Sequence, residues 1–127
     1  MASVYDAIGG APALHRLVNR FYDLIETDPR GGGLLTHHLR GHGLAHVRAE
    51  QADFLSGFLG GPRLYAERHG DMDLRRIHAH LVITPDEAED WLALMDRAIA
   101  DCGLDAPMAP ARPALRRAAL MLVAGAA

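Results

Sequence analysis

The chain has 127 residues, half of them apolar and 23% charged, with a formal net charge of -3. That length suits one domain, 1–127, whose core can bury roughly two thirds of the surface the unfolded chain exposes, and the composition argues against long disorder. The mild acidity offers no broad basic face for nucleic acid. No apolar run approaches the roughly 20 residues of a membrane span, and MASVYDAIGG lacks the basic flank and apolar block of a signal peptide, so a cytoplasmic location is expected. Cys102 has no second cysteine to pair with inside the chain. Eight histidines are the compositional oddity.

In chain order, Val4 to Ile8 can make one helical turn, stopped by Gly9-Gly10. Leu14, Leu17, Val18, Phe21, Leu24 and Ile25 then recur at spacings of three and four, which predicts a helix from about Ala11 to Glu26 with Tyr22 beside its apolar stripe. Thr27-Asp28-Pro29 and Gly31 to Gly33 end it. Leu34 to Gly43 is short and rich in histidine, with His37, His38 and His42. Leu44, Val47, Phe54, Leu55 and Phe58 pattern a second helix over about 43–59, with Gln51 in the same stripe, facing either a buried partner or the stripe's wet edge.

Gly60-Gly61-Pro62 breaks that helix, and Arg63 to Gly70 has room for a turn or two more. A short helix is expected over Asp71 to Ala79, carrying His78, while Leu81 to Ile83 is too brief to assign as a strand. Thr84, Pro85 and Glu87 form the start signal of a helix running to about Cys102, with Ala88, Trp91, Leu92, Met95, Ala98 and Ile99 on one face and Gly103 at its end. A linker with prolines leads to a last helix over Arg112 to Val123, with Leu115, Ala119 and Leu122 inward and a frayed end. The fold class is all-α, with no repeat.

Tyr22, His37, His38, Gln51, His78, His80 and Trp91 fall on or near apolar faces, and a charge-poor pocket with a few polar groups is the usual form of a cofactor site. Haem fits that description: it takes an apolar slot, one axial ligand and, opposite, hydrogen-bond donors. No CxxCH is present for covalent attachment, so a haem would be held by a ligand and packing. His78, within LRRIHAHLVI, is the candidate iron ligand, although a lone histidine among apolar neighbours is more often a hydrogen-bonded core residue. Tyr22 and Trp91 are candidate donors, or else core aromatics with one satisfied polar atom. The competing constellation is His38, His42 and His46, spaced four apart, which on a continuous helix could bind zinc or copper; Gly41 and Gly43 weaken that helix. No Gly-rich phosphate loop, GxSxG or HExxH is present.

Taken in order, VYDAIGG, RFYDLI, FLSGFLGGPRLY, LRRIH and WLALMDRAI resemble a truncated haemoglobin, most closely of group II (O-type), over residues 4–99. The resemblance implies a shortened globin fold, helices packed two over two around a non-covalent haem b. It implies His78 as the proximal ligand, Tyr22 as the distal tyrosine and Trp91 as the group II tryptophan. Val47 and Gln51 match distal positions, Phe54 and Leu55 the apolar wall, and His38 the corner residue against the haem. Ile77 stands where relatives carry an arginine, so Arg75, Arg76, Tyr65 or a histidine must anchor the propionates. His80 replaces part of the motif after the ligand and competes for its role. The implied function is binding of dioxygen or another small diatomic, carbon monoxide and nitric oxide included. Oxygen transport or storage, nitric oxide oxidation, peroxidase-like turnover and sensing are the roles the family offers, with an external reductant and a monomeric or homodimeric protein. A haem-free helical module binding a metal through His38, His42 and His46 is the alternative.

Overall fold

The computed structural model of the protein describes residues 3–34, 44–73 and 82–126, and all regular secondary structure among them is helical. His37, His38, His42, Arg75, Arg76, His78 and His80 lie outside the described residues. Helix α1, Val4–Ile8, starts where the Ser3 hydroxyl accepts the Asp6 amide at 3.1 Å. It stops at Gly9, whose φ of 114° is a left-handed conformation costly for any residue with a Cβ. Helix α2, Gly10–Thr27, follows at once, and its whole expected stripe, Leu14, Leu17, Val18, Phe21, Leu24 and Ile25, is buried. A 3-10 turn over Pro29–Gly31 closes this part, capped by Asp28. Gly31 is required there, since a Cβ would clash with the Ile25 carbonyl oxygen.

Helix α3, Leu44–Phe58, and the short helix α4, Leu64–His69, are joined by a tight turn. Ser56, a buried polar residue, holds that turn by donating to the Pro62 carbonyl at 2.6 Å. The turn also receives α1: the Tyr5 amide donates to the Leu59 carbonyl at 2.9 Å, and the Tyr5 ring lies where a Cβ on Gly61 would stand. Residues 71–73 are not helical, so no helix begins at Asp71 as the sequence had suggested; the Asp71 carboxylate instead accepts the Asp73 amide in a local turn. Residues 82–84 have no regular structure either.

Helix α5, Pro85–Asp101, opens with the expected capping box: Thr84 Oγ1 accepts the Glu87 amide at 3.1 Å while Glu87 Oε1 accepts the Thr84 amide at 2.9 Å. The linker after Gly103 is more ordered than composition suggested. It contains helix α6, Asp105–Met108, and a second 3-10 turn, Ala109–Ala111, because Met108 inserts its side chain fully into the core and draws the chain in. Helix α7, Arg112–Ala126, extends past the expected end at Val123; alanine is the best helix former and needs no tertiary contact to continue a turn.

Helix α2 packs against both α3 and α5, and α5 packs against α7. The result is two helix pairs stacked through α2 and α5, a two-over-two arrangement. Tyr22, Leu94, Met95, Ala98 and Ile99 join the α2 stripe in one core. Surface ion pairs fasten its edges, Arg20 to Asp101 at 2.8 Å and Arg97 to Asp28 at 2.9 Å; such exposed pairs fix geometry more than they stabilise.

Candidate functional site

The site is built from neighbours in sequence as much as in space. On α2, Phe21 and Tyr22 are both fully buried, Phe21 within the stripe and Tyr22 one position round towards α3. Their rings meet edge to face with centroids 5.1 Å apart, and Phe21 also meets Trp91 of α5 at 5.2 Å in the same manner. Edge-to-face contact sets the positive rim of one ring on the negative face of the next, which fixes orientation as well as distance. Phe21 therefore holds in one cluster the phenol and the indole that the sequence marked separately. Burial pushes the Tyr22 hydroxyl well above the ordinary tyrosine range, and the Arg48 charge pulls it part of the way back. At neutral pH the group is a protonated donor.

Helix α3 supplies the second wall. Val47, Gln51, Phe54 and Leu55 follow the helical spacing that puts them on one side, and their burial grades along the helix: Val47 and Gln51 are half-buried, Phe54 and Leu55 buried. Val47 packs against the core cluster that contains Tyr22. Phe54 stacks with Phe58 at 6.1 Å and meets the Tyr65 ring of α4 at 5.5 Å, edge to face. Tyr65 thus closes the α4 end of this wall, and its ring also lies 4.3 Å from that of His69.

The structure accordingly joins Tyr22 to Trp91 through Phe21, and Phe54 to Tyr65, on two walls that meet along the α2 and α3 contact. His38, Arg75 and His78 belong to segments outside the described residues. Two neighbours of these residues were not marked as part of the site in the sequence. Phe21 read as ordinary core, though its adjacency to Tyr22 was a signal that one residue separates buried packing from a buried donor. Arg48 was not singled out, although Asn19, Asp23 and Glu26 recur on one side of α2 as a ready partner set. Glu50 accepts from Arg68 at 3.2 Å and lies 2.7 Å from His69 Nε2, tying α3 to α4.

The chemistry of these side chains suits an apolar planar group. Among the described residues, Phe21, Tyr22, Val47, Gln51, Phe54, Leu55 and Trp91 carry no carboxylate or amine, and they include one phenol, one indole and one carboxamide able to hydrogen-bond a small ligand. Of the alternative constellation His38, His42 and His46, only His46 lies among the described residues: it is exposed and 3.9 Å from Glu50, and among the described residues no three His, Cys, Asp or Glu side chains stand together as ligands. The Cys102 thiol is pushed up, first by burial and then by Asp101, which disfavours the nucleophilic thiolate. Among the described residues no helix is long and apolar enough to cross a membrane.

Comparison with known proteins places these features in context. Residues 3–117 match the family model described as bacterial-like globin. Over 101 residues the chain is 36% identical to the group 2 truncated haemoglobin YjbI of Bacillus subtilis, covering 80% of this chain and 72% of that protein. Among solved structures, the group II truncated haemoglobin from Bacillus anthracis superposes with a TM-score of 0.84 at 31% identity, over 97% of this chain and 92% of the other. The truncated oxygen-avid haemoglobin from Bacillus subtilis gives 0.83 at 32%, over 96% and 99%.

Proposed function

The chain belongs to the bacterial-like globin family, as a truncated haemoglobin of group II, and from that premise we propose that it binds haem b and, at its ferrous iron, dioxygen or another small diatomic ligand. When bound, the haem supplies an iron centre with one position open to such a ligand. The observation that carries the reading is the cluster of buried Tyr22 and Phe21 with half-buried Trp91, which brings a phenol and an indole together on the core against which Val47 of α3 also packs.

In this reading His78 is the iron's protein ligand, with His80 the first substitute. Tyr22 is the principal distal donor: its hydroxyl keeps its proton at neutral pH and is screened from water by burial. Trp91 and Gln51 add donors, and His38 belongs against the haem at the corner before α3. Val47, Phe54 and Leu55 exclude water and give the apolar contact that holds a non-covalent group. Arg75 and Tyr65 take the propionates, a guanidinium by charge and a phenol by a hydrogen bond. Each distal donor slows the escape of a partly charged ligand by stabilising its bound form through a hydrogen bond.

Oxygen binding of the kind named for the Bacillus subtilis neighbour suits this donor set, and the protein would work in the cytoplasm with an external reductant, as a monomer or homodimer. Nitric oxide oxidation and peroxidase-like turnover use the same site. The test is the absorption spectrum of the purified, reduced protein. A Soret band that shifts when carbon monoxide is added is expected; a colourless protein with zinc bound would favour a haem-free helical metal module.

A further inference from the structure

Helix α3 reaches Tyr22 through one side chain that no apolar pattern marks. Arg48 follows Val47 and extends back across the helix contact to α2. One guanidinium nitrogen donates to the Asn19 carbonyl and to Asn19 Oδ1, both at 3.2 Å. The other donates to Asp23 Oδ1 at 3.0 Å and lies 3.5 Å from Glu26 Oε2. These three partners stand four and three residues apart, one turn either side of Tyr22, so the fork bridges the stretch of helix that carries the phenol. The guanidinium carbon is 5.8 Å from the centroid of the Tyr22 ring, within the range where a cation is attracted to an aromatic face. Arg48 is only about one fifth exposed, which limits screening by solvent and salt.

We propose that Arg48 is a positioning residue for the Tyr22 hydroxyl: it fixes the seat of α3 on α2 and, by lying against the ring, makes the phenol a stronger hydrogen-bond donor. A positive charge near a phenol favours electron density on its oxygen, and the same bias polarises the O–H bond in the protonated form. The fork geometry gives the second half of the role. Val47 precedes Arg48 and Gln51 follows it by three residues, so a shift of the fork moves the donor on α2 and the wall on α3 together. A lysine could supply the charge without the planar fork, which separates the two parts. The acidic partners do not abolish the effect, because they lie along the helix surface while the ring lies beneath.

This inference rests on Tyr22 being the distal donor, and the experiment keeps the two claims apart. The C–O stretching frequency of the carbon monoxide complex is measured in the wild type, Tyr22→Phe, Arg48→Met, Arg48→Lys and the Tyr22→Phe/Arg48→Met double variant. Arg48→Met is expected to shift the band in the same direction as Tyr22→Phe and to release oxygen about two- to fivefold faster. It should add a clearly smaller shift once Tyr22 is phenylalanine, and Arg48→Lys should keep most of the wild-type band. Equal shifts from Arg48→Met in both backgrounds, or none in the wild-type background, would overturn the positioning role and leave Tyr22 as donor. A band unmoved by Tyr22→Phe would overturn the Tyr22 assignment itself, and this inference with it.

Discussion

Phe21 meets Trp91 edge to face at 5.2 Å across the contact between α2 and α5, and through that one ring the indole is held at a fixed distance from Tyr22. Replacing Phe21 with alanine removes a fully buried ring and both edge-to-face contacts. The expected cost is about 3 to 5 kcal/mol, read from urea unfolding of the haem-loaded protein. A cost below about 1 kcal/mol would mean that the surrounding helices collapse into the space and that the ring does not organise the cluster.

Tyr22→Phe keeps the ring and deletes the donor. One hydrogen bond to a partly charged ligand stabilises it by roughly 1.5 to 3 kcal/mol, or about tenfold to over a hundredfold in dissociation rate. Oxygen release after flash photolysis or in stopped flow should accelerate by that range, with carbon monoxide, a poorer acceptor, affected less. Equal release rates in the two proteins would remove Tyr22 from the distal role.

The same hydroxyl makes stability depend on pH at the alkaline end. Burial raises the Tyr22 pKa in the folded chain, whereas the unfolded chain releases that proton near the ordinary value of about 10. Above that value the unfolded state binds fewer protons than the folded state, so stability is full below about pH 10 and falls as pH rises. Denaturation between about pH 9 and 12 should show a shallower loss in Tyr22→Phe than in the wild type. Parallel curves would indicate that the hydroxyl titrates normally and is not sequestered.

Much of the fold was legible because each helix carries its period in its own residues. The α2 stripe and the Thr84 to Glu87 capping box are local patterns, and both stand as expected. Helix α6 was not legible: Asp105 to Met108 has a proline and no apolar stripe, and only the core space that Met108 fills makes it a helix. At the site, the residue types of Tyr22, Gln51 and Trp91 were visible as polar groups among apolar ones. The meeting of Tyr22 and Trp91 was not, because it runs through Phe21, 70 positions before Trp91 in sequence, and nothing local records that. Arg48 was hidden for the opposite reason, since its partners on α2 look like an ordinary solvated face.

Thr84 caps the end of α5 next to the segment that carries His78. Thr84→Ala removes one of the two reciprocal bonds of the capping box, with a cost of about 1 kcal/mol in thermal or urea unfolding. Loss of the cap should also speed haem transfer to an acceptor protein, since the helix start anchors the chain that follows His78, the proposed ligand. Unchanged stability would show that water satisfies the Glu87 amide equally well.

The central claim is that one imidazole, that of His78, holds iron in this protein. The most direct measurement is the Soret absorbance per chain of His78→Ala beside that of His80→Ala, after reconstitution with haem and gel filtration. Loss of the band in His78→Ala with full intensity in His80→Ala is the predicted result. A normal band in His78→Ala would contradict it, and its loss in His80→Ala instead would transfer the iron to that residue.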